Sequence, residues 1–333
     1  MINVLFICVK LLFSIFLVIL FLLLCLAAYH HLMIMKERKD LTPNGSMIHV
    51  GGRKVHVYSQ GNQSNKPILV FLSGSATVAP VYDFKSLYNK LTDQYKIVVV
   101  EKTGYGYSDT SNVDRDVGSI VMEERSALQS AGEYGPYILV PHSMGGLEAV
   151  YWAQNYPDEV QGLIGLDMAV PEVYEKMDIN QSLRTMKILK IVCFLGIQRI
   201  PGVYPLNTEE LDAVEKKQQK LLLNNYSMNN NFRLESEKVK VNAEKVKKGG
   251  NIHVPLLLFV SSGTEIGDFW IPCEQKFANE NHGKLILLPC GHYIHHYESK
   301  LLADEIKKFM MEYIGMKELF KFWNKGGTAF NRY

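Results

Sequence analysis

Cysteine is scarce and unpatterned in this sequence: 333 residues hold 5. Cys8 and Cys25 fall in an apolar N-terminal run, leaving Cys193, Cys273 and Cys290 without a CxxC or other metal-ligand spacing. A disulfide scaffold and a zinc module are excluded on this count, and the cysteines read as small buried residues. An excess of one charge is also missing, because 36 Lys and Arg face 34 Asp and Glu. A nucleic-acid-binding domain needs a basic stripe, so nucleic acid is not an expected partner. There is no internal repeat, no low-complexity tract and no HExxH. Hydrophobic residues at 47% and charged residues at 21% rule out bulk disorder. A chain of this length can bury a large core without disulfides or structural metal.

What is present begins with a long apolar run. Leu11 to Ala28 carries no charge, and Lys10 is the only charge before Lys36. About 18 uncharged residues suffice to cross a bilayer as a helix, so residues 3–28 are expected to form a single-pass membrane anchor. A cleaved signal peptide is the alternative. Its apolar region is shorter, and only Ala27 and Ala28 here offer a cleavage site. Lys36, Arg38 and Lys39 follow the span, so the positive-inside rule favours a cytoplasmic C-terminal domain.

Residues 29–46 read as a polar linker, with the cluster Lys36 to Asp40 and the turn formers Pro43, Asn44 and Gly45. Met47–Val50 and Lys54–Ser59 alternate around Gly51-Gly52 as a hairpin. Short apolar runs follow at Pro67–Leu72, Lys96–Val100, Tyr137–Val140, Leu163–Leu166, Leu256–Val260 and Leu285–Leu288. Such runs are strands buried on both faces, and helical patterns at Val121–Ala131, Gly145–Asn155 and Leu301–Tyr313 lie among them. The fold class is therefore α/β with a mostly parallel sheet. Residues 171–250 break the rhythm with helical patterns alone and read as an inserted helical cap. The core is then 47–170 and 251–315, with a tail over 316–333. Glu235–Lys248 reads as a solvated helix. The apolar cap run Ile188–Ile197 reads as packing of the cap on the core, or else as a lining for a lipophilic substrate or a contact with the bilayer.

The segment carrying the most chemistry is Leu139-Val140-Pro141-His142-Ser143-Met144-Gly145-Gly146. A strand ends, a small-residue turn follows and a helix begins, so Ser143 sits at the C-terminal edge of the sheet with helix N–H groups aimed at the site. The alternative is an ordinary strand–helix loop with a serine cap. Ser73-Gly74-Ser75 ends the preceding buried strand, where the Ser75 N–H can complete an oxyanion hole with that of Met144. Gly291-His292 follows the last strand, and Gly104-Tyr105-Gly106-Tyr107-Ser108-Asp109 forms a glycine-rich turn.

These residues resemble the α/β-hydrolase superfamily, in its serine hydrolase branch with a helical cap. Glu101 to Ser108 is similar to that family's D-x-x-G-x-G-x-S segment, Pro141 to Gly145 to its nucleophile elbow, and Gly291 to His295 to its G-H-F-x-H segment. The likeness covers roughly residues 47 to 314. It implies an eight-stranded, mostly parallel sheet and a cofactor-free triad, with Ser143 as nucleophile and His292 as base. Three positions depart from the pattern: Pro141 replaces glycine, Ser73 replaces histidine and Glu101 replaces aspartate. A serine nucleophile argues against the dehalogenase and epoxide hydrolase branches, which use aspartate there.

The acid has three candidates. Asp167 directly follows a buried strand, while Glu265 and Asp268 lie in the loop after Leu256–Val260, where the family more often carries it. His295 and His296 near His292 invite a metal, but no carboxylates cluster beside them in sequence, and no metal is expected. His295 reads as a loop-packing residue and His142 as a pocket wall. The expected activity is ester hydrolysis on a small-molecule substrate. The alternatives are other chemistry on the same triad (amidase, thioesterase, C–C hydrolase, acyltransferase) or a non-catalytic binding protein.

Overall fold

The computed structural model describes residues 2–61, 67–204 and 206–326, with side chains over 4–312 of those stretches. Eight strands form one sheet: β1 (Ser46–Val50), β2 (Arg53–Gln60), β3 (Ile68–Leu72), β4 (Ile97–Glu101), β5 (Tyr137–Ser143), β6 (Val160–Met168), β7 (Leu256–Val260) and β8 (Lys284–Leu287). Their order is β1-β2-β4-β3-β5-β6-β7-β8. β2 runs antiparallel to both neighbours, and every other pairing from β4 to β8 is parallel.

Burial explains the apolar runs. All five residues of β4 and of β7 are buried, because helices cover both faces of the sheet. On one face Val117–Ser130, Gly145–Asn155 and Trp270–Glu280 bury Val121, Trp152 and Phe277 against Val98, Leu139 and Leu258. On the other, Phe84 and Tyr88 pack with Ile306 and Met310 of the last helix. Each fully buried side chain of this size contributes roughly 1.5–3 kcal/mol relative to exposure. Asp116 caps the first of these helices by accepting the Gly118 N–H at 2.9 Å.

Between β6 and β7 lie the cap helices Ile179–Phe194, Ala213–Tyr226 and Asn230–Lys248. The last is not solvated along its length, contrary to the charge-based reading. Asn231, Glu235, Val239, Asn242 and Val246 form a buried face, and Glu235 accepts from Arg115 Nε at 2.9 Å and from the Tyr105 hydroxyl at 2.5 Å. Its lysines mask an inner face that only tertiary contact reveals.

The N-terminal helix Ile2–Glu37 continues past Ala28 through the segment read as a linker, and a short turn Arg38–Asp40 ends it. Residues 29–37 contain no Pro or Gly to stop it. Contacts with the cap also hold it: Arg199 forms a fork to both Glu37 oxygens at 2.7 Å each. From Val4 to Leu24 its large apolar side chains are exposed on all sides. The last helix, Ser299–Gly326, passes through Gly315, where the tail reading begins. The side chains of Leu319, Phe320, Phe322 and Trp323, and residues 327–333, lie outside the described residues.

Candidate active site

Ser143 ends β5 and the helix Gly145–Asn155 starts two residues later. Its φ is 49°, a conformation that non-glycine residues rarely adopt. The sheet register shifts between His142 and Ser143, so the serine turns out of the strand toward the cap. Close packing holds this corner. A Cβ on Gly74 would lie 2.7 Å from the Ser143 Cβ, and one on Gly146 would lie 2.4 Å from the Ala169 carbonyl oxygen. Pro141 meets Leu72 of β3 inside the sheet, so its missing N–H leaves the turn itself unchanged.

Asp167 occupies the corresponding corner near the end of β6. It is fully buried and has a φ of 45°. Three donors converge on it. His292 Nδ1 lies 2.6 Å from Oδ2, while the Ser261 N–H and the Trp270 Nε1–H each donate to Oδ1 at 2.7 Å. With the carboxylate oxygen as acceptor, this contact is met by the His292 tautomer that carries its proton on Nδ1. Trp270 also sets its ring edge-on to the His292 imidazole at 5.6 Å between centroids.

Glu265 takes a different place. One carboxylate oxygen accepts the His292 backbone N–H at 2.8 Å, so it braces the histidine loop and does not reach the ring through that bond. Asp268 is exposed. Of the three acid candidates, the structure brings Asp167 alone to the imidazole.

Ser75, Ser143 and Met144 line one cavity of about 590 Å³, walled by Tyr174, Met186, Leu189 and Glu265 among others. Ser75 and Met144 thus share a cavity with the serine. The cap run is divided between two roles, since Leu189 lines the cavity while Ile188 and Ile191 are exposed elsewhere on the same helix.

His142 is fully buried, and burial, followed by the charge of His292, holds its pKa well below the ordinary imidazole value. Its neutral ring can donate from Nε2 to the His292 carbonyl oxygen at 3.2 Å, which pins the histidine loop from a second side. His295 and His296 direct their Nε2 atoms to the two oxygens of Asp83 at 2.9 and 3.0 Å. These three residues offer ligand-type atoms within 4.8 Å of one another. Ring N–H groups donating to one carboxylate also account for this arrangement, and Asp83 carries no sequence signal for it because it lies 212 residues from His295.

Sequence reasoning also missed a buried charge cluster beneath the site. Lys102, in the glycine-rich turn, pairs with Glu148 of the Ser143 helix and, at 3.4 Å, with Glu235 of the cap. Glu101 accepts from the Val81 and Tyr107 N–H groups at 3.0 and 2.8 Å and pairs with His56 at 2.9 Å. The glutamate that departs from the family's aspartate therefore ties the turn to β2. Alternation in Lys54–Ser59 signalled the strand but not this partner.

A sequence model described as alpha/beta hydrolase fold matches residues 67–185. The uncharacterized protein YbdG of Bacillus subtilis (strain 168) is 44% identical over 146 residues, 44% of each chain. Epoxide hydrolase 1 of Caenorhabditis elegans is 27% identical over 144 residues, 42% of this chain and 35% of that one. The chain thus spans less than half the length of these curated relatives. The crystal structure of the enol-lactonase from Burkholderia xenovorans LB400 superposes with a TM-score of 0.58 at 15% identity, over 80% of this chain and 100% of that one. By its sheet order and these likenesses, the chain has the alpha/beta hydrolase fold.

Proposed function

We propose that the protein is a serine hydrolase that cleaves esters through Ser143, His292 and Asp167. The observation that carries this reading is the 2.6 Å contact between His292 Nδ1 and Asp167, on a sheet edge where Ser143 is held at a positive φ. Ser143 Oγ attacks the ester carbonyl carbon as its proton passes to His292 Nε2. The N–H groups of Ser75 and Met144 hold the oxyanion. When the tetrahedral adduct collapses, His292 returns the proton to the departing alcohol. Water then repeats the sequence on the acyl-enzyme. Asp167 holds the imidazole in the Nδ1–H tautomer and stabilises its cationic form.

A lactone is a cyclic ester, so the named substrate class of the enol-lactonase agrees with this assignment. Similarity to an epoxide hydrolase favours hydrolysis in general. Epoxide opening by that branch uses a carboxylate nucleophile, and this chain has Ser143 in its place. If serine and histidine act as one unit, Ser143→Ala and His292→Ala each abolish hydrolysis of p-nitrophenyl esters to a similar degree. A Ser143→Ala chain active at the wild-type rate overturns the assignment.

The helix Ile2–Glu37 acts in this reading as an uncleaved, single-pass anchor. At 1.5 Å per residue it is about 54 Å long, more than the roughly 30 Å hydrocarbon thickness. By the positive-inside rule, the cations at Lys36, Arg38 and Lys39 favour a cytoplasmic side for the hydrolase domain. Retention of the chain in membranes after carbonate washing, with its N-terminus intact, tests this part.

A further inference from the structure

We infer that the cap helix Ile179–Phe194 is a second membrane contact, lying on the surface of an anionic bilayer and turning the cavity at Ser143 toward ester substrates whose acyl chains reside in that bilayer. The inference rests on the anchor and ester readings above and adds the surface and the substrate class.

Three observations converge. First, the helix has two opposite faces. At 100° per residue, Ser182, Met186 and Leu189 point one way and line the cavity with Ser143. Ile188, Ile191 and Phe194 point the other way and are 62%, 61% and 61% exposed. Ile200 and Val203 extend this exposed apolar surface beyond the helix.

Second, the anchor fixes where that surface sits. Its C-terminal end packs on the end of the cap helix: the His31 and Phe194 rings lie 4.7 Å apart. A Cβ on Gly196 would come within 2.6 Å of the His30 Cβ. Arg199 binds His30 Nδ1 at 2.7 Å as well as forking to Glu37. The exposed apolar patch is therefore continuous with the point where the apolar helix meets the domain.

Third, the charge is one-sided. From Ile179 to Leu206 the chain has no Asp or Glu and four cations, of which Arg199 is paired with Glu37 and Arg184 lies 3.9 Å from Asp178 just before the helix, leaving Lys187 and Lys190 without an ion pair among the described residues. Arg184, Lys187 and Lys190 are exposed and interleave with Ile188 and Ile191 on the outer face. Apolar side chains that enter the acyl boundary, beside long cationic stems that reach headgroup phosphates, are the chemistry of an interfacial helix. A soluble protein partner would not need the anchor's end beside the patch.

The test uses the full chain in vesicles of equal parts phosphatidylglycerol and phosphatidylcholine, the latter with brominated acyl chains. Bromine quenches indole emission at short range. The emission added by Ile191→Trp should fall relative to unbrominated vesicles, and that added by Met122→Trp, exposed on a core helix, should not. Ile188→Trp repeats the measurement one turn away. If neither cap indole is quenched more than the Met122→Trp control, the contact is overturned, whatever the enzyme's activity.

A second arm reads the substrate class. The double variant Ile188→Gln/Ile191→Gln should hydrolyse a long-chain p-nitrophenyl ester in vesicles about tenfold more slowly, with p-nitrophenyl acetate in water unchanged. Equal rates on both substrates overturn delivery from the bilayer. Quenched cap indoles in the Trp variants, with a wild-type chain inactive on both esters, would instead overturn the ester reading and support the contact. Extraction of the wild-type chain by carbonate would overturn the anchor reading, and this inference with it.

Discussion

Replacing Asp167 by asparagine is the most informative single change, because its three hydrogen-bond partners are all donors. His292 Nδ1, the Ser261 N–H and the Trp270 Nε1–H share its two oxygens at 2.6–2.7 Å. Asparagine has the same shape but one acceptor. If its oxygen stays with Ser261 and Trp270, its NH₂ faces Nδ1 and forces the imidazole to accept there. The ring proton then moves to Nε2, the atom that must take the proton of Ser143. If the amide flips, two buried donors lose their acceptor at a cost of about 1–3 kcal/mol each, so the unreactive tautomer is the favoured outcome. Loss of the correct tautomer should lower kcat by roughly 10⁴, the size found in the best-studied triad, or about 5.4 kcal/mol at 1.36 kcal/mol per decade. The assay is p-nitrophenyl ester hydrolysis, with a denaturation midpoint to show that the fold persists. Glu265→Gln is the paired control: the glutamine oxygen can still accept the His292 N–H, so most activity should remain. An Asp167→Asn rate within tenfold of wild type, or a larger loss in Glu265→Gln, refutes the reasoning.

Gly146→Ala should lower stability by about 1–3 kcal/mol, because the new methyl carbon meets a backbone oxygen at 2.4 Å and that oxygen cannot swing away; an unchanged urea midpoint would contradict the tight corner. Glu274 is fully buried, and burial, followed by the Asp167 charge, raises its carboxyl pKa well above the ordinary range. With the folded pKa above the unfolded one, its stabilisation is complete below about pH 4 and is lost as pH rises toward the folded value. Glu274→Gln should therefore gain stability over wild type progressively above that pH, and a difference independent of pH would refute the assignment.

Local signals carried most of the fold into view. The central strands β3 to β7 are apolar and buried along nearly their whole length, so continuous apolar runs marked them, whereas alternation marked the partly exposed β1 and β2. Ser143 and His292 stand out for a similar reason: one ends a strand and the other lies in the loop after one, each near glycines. The carboxylate that meets the imidazole was not legible, because Asp167 falls at the end of one apolar run and Glu265 after another, and only the converging Ser261, Trp270 and His292 donors single out Asp167. Trp270 carried no signal of its own, being one aromatic at the start of an amphipathic helix. The Lys102–Glu148–Glu235–Arg115 cluster joins segments far apart in the chain, and charged residues on helices read as solvated until their partners are seen. The cap helix was hardest. Its apolar run reads first as packing, with lining or bilayer contact as alternatives, and in the fold Leu189 lines the cavity while Ile188, Ile191 and Phe194 are exposed.

The central claim is that Ser143 is the nucleophile of a working triad. Treating the full chain with a fluorophosphonate and mapping the adduct by peptide mass tests it most directly. One adduct per chain should form, on the peptide containing Ser143. It should be absent in Ser143→Ala and much slower to form in His292→Ala. No adduct on a folded wild-type chain, or an adduct on another residue that persists in Ser143→Ala, would contradict the account.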